Sequence, residues 1–149
     1  MMNDKQIEMD YIIQSCACAH IRKSARTVTQ AYEKKMSQAG LKVTQYYMLV
    51  NIARHQKLSI SELGEMLLLE QSTVTRNVTI LKKEGYVSIA QDSNDARIKS
   101  VSITDQGLQK IEEATPYWLQ IQDKFEKKIG KEQYQELLKL LTALSEAVE

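Results

Sequence analysis

At 149 residues, with 43% hydrophobic and 26% charged side chains, the chain has the balance of a folded domain, or of two small lobes sharing a core, and wholesale disorder is excluded. A net charge of +1 hides a gradient, +5 over residues 1–58, −1 over 59–103 and −3 over 104–149, which solvated faces also produce and which assigns no partner by itself. No apolar run, Met66 to Leu69 included, comes near the roughly eighteen residues a membrane span needs, and no basic segment followed by an apolar stretch marks a signal peptide at the N-terminus.

Ile21, Ala25, Val28, Tyr32 and Met36 recur at spacings of three and four, which predicts one long helix over residues 6–38 ended by Gly40. A second helix is expected from Thr44 to His55. Ser59-Ile60-Ser61-Glu62 reads as a capping box, in which serine accepts from a free backbone N–H and glutamate reaches back; it opens a short helix to Leu67 or Leu68. Gln71 to Glu84 forms a fourth helix with Val74, Val78 and Leu81 on one face and Gly85 as its terminator. Alternating polarity over 86–90 and 99–103, around the turn formers Asp92 to Ala96, predicts a two-stranded hairpin with a polar tip. Helical spacing returns after Thr104 with Leu108, Ile111, Trp118, Ile121 and Phe125 as buried positions, and Pro116 is expected to kink or restart that helix. A leucine-rich helix over 132–147 ends the chain. The fold class is therefore mainly α with a small β-hairpin wing.

Three short helices followed by a hairpin are the order of a winged helix-turn-helix, in which one helix braces the next for entry into a DNA major groove and the hairpin reaches for the adjacent backbone or minor groove. The candidate reading helix suits that task. Gln71, Ser72, Thr73, Thr75, Arg76, Asn77 and Thr79 are polar donors or acceptors of modest helix propensity, where a merely solvated face would favour Glu/Lys pairs. Arg76 has two open roles, guanine readout and phosphate contact. Ser59, Ser61 and His55 are weaker phosphate candidates. Lys99 lies at the base of the wing.

Ser72-Thr73-Val74-Thr75-Arg76, Leu81-Lys82-Lys83-Glu84-Gly85-Tyr86-Val87, Asp92-Ser93-Asn94-Asp95-Ala96-Arg97 and Ile103-Thr104-Asp105-Gln106-Gly107 together resemble the MarR family of bacterial transcription regulators. The resemblance covers nearly the whole chain. It implies a winged helix-turn-helix lobe over 42–103 and a helical dimerisation region over 6–38 and 104–149. It also implies a cytoplasmic homodimer on near-palindromic double-stranded operator DNA, a repressor released by a small phenolic or oxidising effector, with no cofactor and no membrane partner. Asp95 and Arg97 match the family's wing-tip Asp-x-Arg pair, in which the arginine enters the minor groove and the aspartate holds it. Lys42 and Ser93 depart from the family pattern of threonine and proline, which implies a less well capped second helix and a looser tip.

For sensing, Cys16, His20, Tyr46, Tyr47, Met48, Tyr117 and Trp118 offer aromatic faces, a polarizable sulfur and a few polar groups near the expected junction of first helix and lobe, suited to a small aromatic ligand. Cys18 matches the reactive cysteine of the family's hydroperoxide-responsive branch by its distance from Tyr32, although Arg22 and Val43 replace two supporting tyrosines; a redox-sensing regulator is the alternative reading. The pair Cys16 and Cys18 lies too close to staple a fold, consistent with a reducing compartment. On a continuous helix Cys16 and His20 share a face that Cys18 does not, so the three form no metal site of their own. His20 and His55 fall in separate helices, and no phosphate loop or paired-carboxylate motif points to an enzyme. A helical dimerisation module that does not bind DNA is a further alternative, but it has no use for a polar reading helix or an Asp95/Arg97 wing.

Overall fold

In the computed structural model, which describes residues 3–148, the first helix starts where the Asn3 side chain accepts the Gln6 N–H at 3.0 Å. The expected single helix over 6–38 is two: α1 (Asp4–Ser15) and α2 (Ala17–Met36), separated at Cys16, whose ψ of 106° is extended. No glycine or proline marks the break. The His20 ring donates from Nε2 to the Gln14 carbonyl at 2.8 Å, so a side chain occupies a carbonyl in the last turn of α1. A 3-10 turn (Ser37–Ala39) follows α2 and closes at Gly40, whose φ of +70° suits glycine.

Helix α3 (Val43–His55) begins without a side-chain acceptor at Lys42, because an ammonium has no lone pair to offer. Two neighbours compensate: Gln45 Oε1 accepts from Lys42 N at 3.1 Å, and the Glu33 carboxylate of α2 accepts from Val43 N at 3.3 Å. Gln56 then turns the chain with a φ of +65° into β1 (Lys57–Ser59). Helices α4 (Ile60–Leu67) and α5 (Gln71–Lys83) precede β2 (Val87–Gln91) and β3 (Lys99–Ile103). The expected two-stranded hairpin is thus part of a three-stranded antiparallel sheet of order β1-β3-β2, with β3 at its centre, Leu58 opposite Val101 and Val101 opposite Ile89. Three residues carrying one apolar side chain are too few for a strand period to show in sequence.

Helix α6 (Asp105–Ile129) runs through Pro116 without a restart. Proline removes the N–H that the Glu112 carbonyl would bond, but both residues are exposed, on the side of the helix where solvent can supply the missing partner. Gly130, at φ +96°, turns the chain into α7 (Lys131–Glu146).

The core centres on the lobe, where Met48, Leu49, Ile52, Leu63, Val74, Val78, Leu81, Val87 and Val101 are buried together with Met36 of α2 and Ala114 of α6; Ile121 of α6 is buried as well. Leu108, expected inside, is exposed, and of the α2 stripe only Met36 is buried. Helices α1 and α7 bury no residue, while Ile7, Ile13, Leu138 and Leu140 stand 55%, 69%, 48% and 58% exposed. No helix among the described residues is long and apolar enough to cross a membrane.

Candidate nucleic-acid interface

The brace for the reading helix is set by one turn of backbone. Ser59 Oγ accepts from Glu62 N at 3.1 Å and Glu62 Oε2 accepts from Ser59 N at 2.7 Å, completing the capping box. The bonds from Ser59 hold the Glu62 carboxyl below its ordinary value. Leu68, at φ +50°, then swings the chain into α5. Val74, Val78 and Leu81 face inward on α5, and Gln71, Ser72, Thr75, Arg76 and Thr79 are exposed on the other side, with Thr73 and Asn77 half-buried. Two of these side chains already spend a donor on their own helix: Asn77 Nδ2 donates to the Thr73 carbonyl at 2.9 Å and Thr79 Oγ1 to the Thr75 carbonyl at 2.8 Å. Gln71, Ser72, Thr75 and Arg76 are the more available contacts.

The wing tip is organised by Asp92, the first residue of the Asp92 to Arg97 motif. Its Oδ1 accepts from the backbone N–H groups of Asn94 and Asp95 at 2.8 and 3.3 Å, and its own N–H donates to the Ile98 carbonyl at 2.8 Å. These bonds form with Ser93 at the position where the resemblance implies proline. Asp95 then accepts from Arg97 three times: from the backbone N–H at 3.0 Å, from Nε at 3.1 Å and from Nη2 at 3.2 Å. The Arg97 side chain, first of all, holds the Asp95 carboxyl below its ordinary value.

Between the start of α4, the outer face of α5 and the wing lies a groove of about 390 Å³. It brings together Gln71, Thr75, Thr79, Arg97 and Lys99, along with Ser59 and Ser61. Ser72, Thr73, Arg76 and Asp95 are not on its wall, and neither is His55. Ile60, Val78, Ile89 and Ile98 supply the apolar part of its lining.

The seven residues expected to line an effector site do not gather around one cavity. Tyr46 and Met48 point into the lobe core, where Tyr46 Oη lies 3.0 Å from Thr115 Oγ1. Tyr47, between them, turns outward by the helical period and is 56% exposed. Tyr117 and Trp118 pack against the core, and Cys16 is half-buried at the helix break. A cavity of about 460 Å³ between α2, α6 and α7 takes only His20 from that set; Ile21, Val28, Tyr32, Phe125 and Tyr134 form much of the rest of its wall. From its wall Tyr32 Oη donates to Gln122 Oε1 of α6 at 2.9 Å, and burial first, then Tyr134 and Glu126, pushes the Tyr32 phenol up to about 12. Cys18 is exposed and both cysteines are free thiols. Among the described residues no three His, Cys, Asp or Glu side chains gather as a metal-ligand set.

Residues 39–98 match the MarR family. An uncharacterised HTH-type transcriptional regulator of Bacillus cereus is 34% identical over 98 residues, 66% of this chain and 65% of that relative. The HTH-type transcriptional regulator SarZ of Staphylococcus epidermidis is 31% identical over 84 residues, 56% of this chain and 57% of its own length. The chain thus matches less than two thirds of the length of these curated relatives. The M. tuberculosis transcriptional regulator MosR, crystallised with DNA, superposes with a TM-score of 0.79 at 28% identity, over 90% of this chain and 96% of that one.

Proposed function

This chain belongs to the MarR family, and from that premise we propose that it acts in the cytoplasm as a homodimeric transcriptional repressor. In this reading α5 enters the major groove of operator DNA and the wing the adjacent minor groove. One observation carries it: the exposed polar face of α5 and the Arg97 fork border a single groove, with Gln71, Thr75, Thr79 and Lys99 on its wall and no acidic side chain among its lining residues. Arg97 offers a preset planar cation to the negative potential of a narrow minor groove. The short hydroxyl and amide side chains of α5 fit base edges and phosphates.

The dimer is supported by the apolar surface of α1 and α7. Ile7, Met9, Ile12 and Ile13 and the leucines of α7 are too exposed for a chain working alone and suit a two-fold contact. In such a dimer the partner's helices roof the cavity between α2, α6 and α7. A flat aromatic acid or phenol held against Tyr32, Phe125 and Tyr134 would then bear on the separation of the two lobes, which is the proposed route of release. Calorimetry of aromatic acids and phenols against the free and the operator-bound dimer tests this part. An inducer binds the free dimer more tightly, and equal affinity for the two forms rejects the compound as one. Sedimentation of the protein with a duplex selected from random DNA tests the rest, with one dimer per duplex as the expected stoichiometry.

A further inference from the structure

One residue, Thr104, separates the last wing strand from α6. It stands against the exit of the reading helix. There the chain closes on itself: Tyr86 N donates to the Leu81 carbonyl at 2.9 Å and Gly85 N to the Lys82 carbonyl at 3.0 Å, with Gly85 at φ +81°. That closure leaves the Gly85 carbonyl for Thr104, whose Oγ1–H donates to it at 2.6 Å. The same oxygen accepts from Gly107 N at 3.0 Å and so caps α6, while Thr104 N donates to the Tyr86 carbonyl at 3.1 Å. The hydroxyl's one hydrogen therefore goes to the end of α5 and a lone pair to the start of α6.

The neighbours tighten this joint. Gly107 is buried, and a Cβ there would run into the Tyr86 carbonyl, so the first turn of α6 sits directly on the backbone between α5 and β2. One turn later Lys110 places its ammonium 5.8 Å from the centre of the Tyr86 ring. Helix α6 has 25 residues, about 37 Å of rise, and leads to the apolar surface of α7. A swing of about 5° at the joint displaces the far end by about 3 Å, close to the roughly 3.4 Å rise of one base pair.

We propose that Thr104 is a positioning residue for operator recognition: its hydroxyl clamps α5 to α6 and thereby fixes the spacing at which the two lobes of a dimer meet their half-sites. This rests on the DNA-binding reading above. Thr104 need not touch DNA to act.

Three variants separate clamp from cap. Thr104→Ser keeps both hydrogen bonds. Thr104→Asp keeps a good helix-capping acceptor but has no hydrogen for the Gly85 carbonyl. Thr104→Val removes both and carries the comparison should Thr104→Asp not give a folded dimer. The probe is a duplex selected from random DNA with the parent protein, remade with one base pair inserted or deleted at its centre. Parent and Thr104→Ser are expected to lose about tenfold or more on either change, whereas Thr104→Asp binds the unaltered duplex about tenfold more weakly and loses less than about threefold on the changes. A Thr104→Asp dimer with the parent's affinity and the parent's spacing penalty overturns the clamp. Failure of the parent to select any duplex overturns the DNA-binding reading itself, and the clamp with it.

Discussion

Asp95 holds Arg97 along one edge of the guanidinium, its two oxygens accepting from Nε at 3.1 Å and Nη2 at 3.2 Å, while 91% of the arginine side chain remains exposed. An ion pair so open to water adds little to stability. Its consequence is orientation: the arginine is fixed before anything binds, and less side-chain freedom is lost when it does.

Arg97→Ala is therefore expected to leave thermal stability within about 0.5 kcal/mol of the parent. DNA affinity should fall by about 1–3 kcal/mol at fixed salt. Asp95→Asn, which keeps one acceptor oxygen, should lose less. Fluorescence anisotropy with parallel thermal melts checks both, and unchanged affinity in Arg97→Ala removes the wing from the interface.

The pH dependence of the fork has a definite sign. Its bonds from Arg97, side chain first and backbone second, lower the Asp95 carboxyl. The stabilising contribution is thus present above the ordinary aspartate value of about 3.9 and is lost as pH falls through the lower folded value. Carbon-detected NMR should find Asp95 titrating below its value in Arg97→Ala. Equal values in the two proteins would show that no fork forms in solution.

Tyr32 moves the other way. Its phenol, raised to about 12 by burial and by Tyr134 and Glu126, contributes stability below the unfolded value near 10, lost as pH rises through the folded value. Ultraviolet titration should show one tyrosine that ionises late and disappears in Tyr32→Phe. That variant also removes the donor 2.9 Å from Gln122 Oε1 and should cost about 1 kcal/mol in denaturant unfolding.

Removal of residues 132–149 is expected to give aggregated or unfolded protein, because it strips the α7 leucines from the exposed faces of α2 and α6 that they adjoin. A folded, DNA-binding monomer in sedimentation would show that these helices do not make the dimer.

The lobe was legible in the sequence because its signals are local. Ser59 and Glu62 cap within three residues, Gly85 ends α5, and Val74, Val78 and Leu81 repeat along one face. The features that escaped depend on distant partners. The break at Cys16 has no local breaker, the start of α3 is completed by Glu33 ten residues earlier, and β1 exists through its pairing with β3. The same reasoning separates the two sets of site residues. A polar helix face announces itself by period, so Gln71, Thr75 and Thr79 fell on one groove with Arg97. The aromatic set from Cys16 to Trp118 was gathered by expected proximity alone, and packing sent Tyr46 and Met48 into the core instead.

The most direct test of the central claim is the specificity ratio of the parent protein, measured by anisotropy on a selected duplex and on a scrambled duplex of equal length at the same salt. Specific recognition through α5 and the wing predicts binding to the selected duplex at least about 10³-fold tighter, with Arg76→Ala and Arg97→Ala each weakening it. Equal affinity for the two duplexes, or a ratio untouched by both substitutions, would contradict the account.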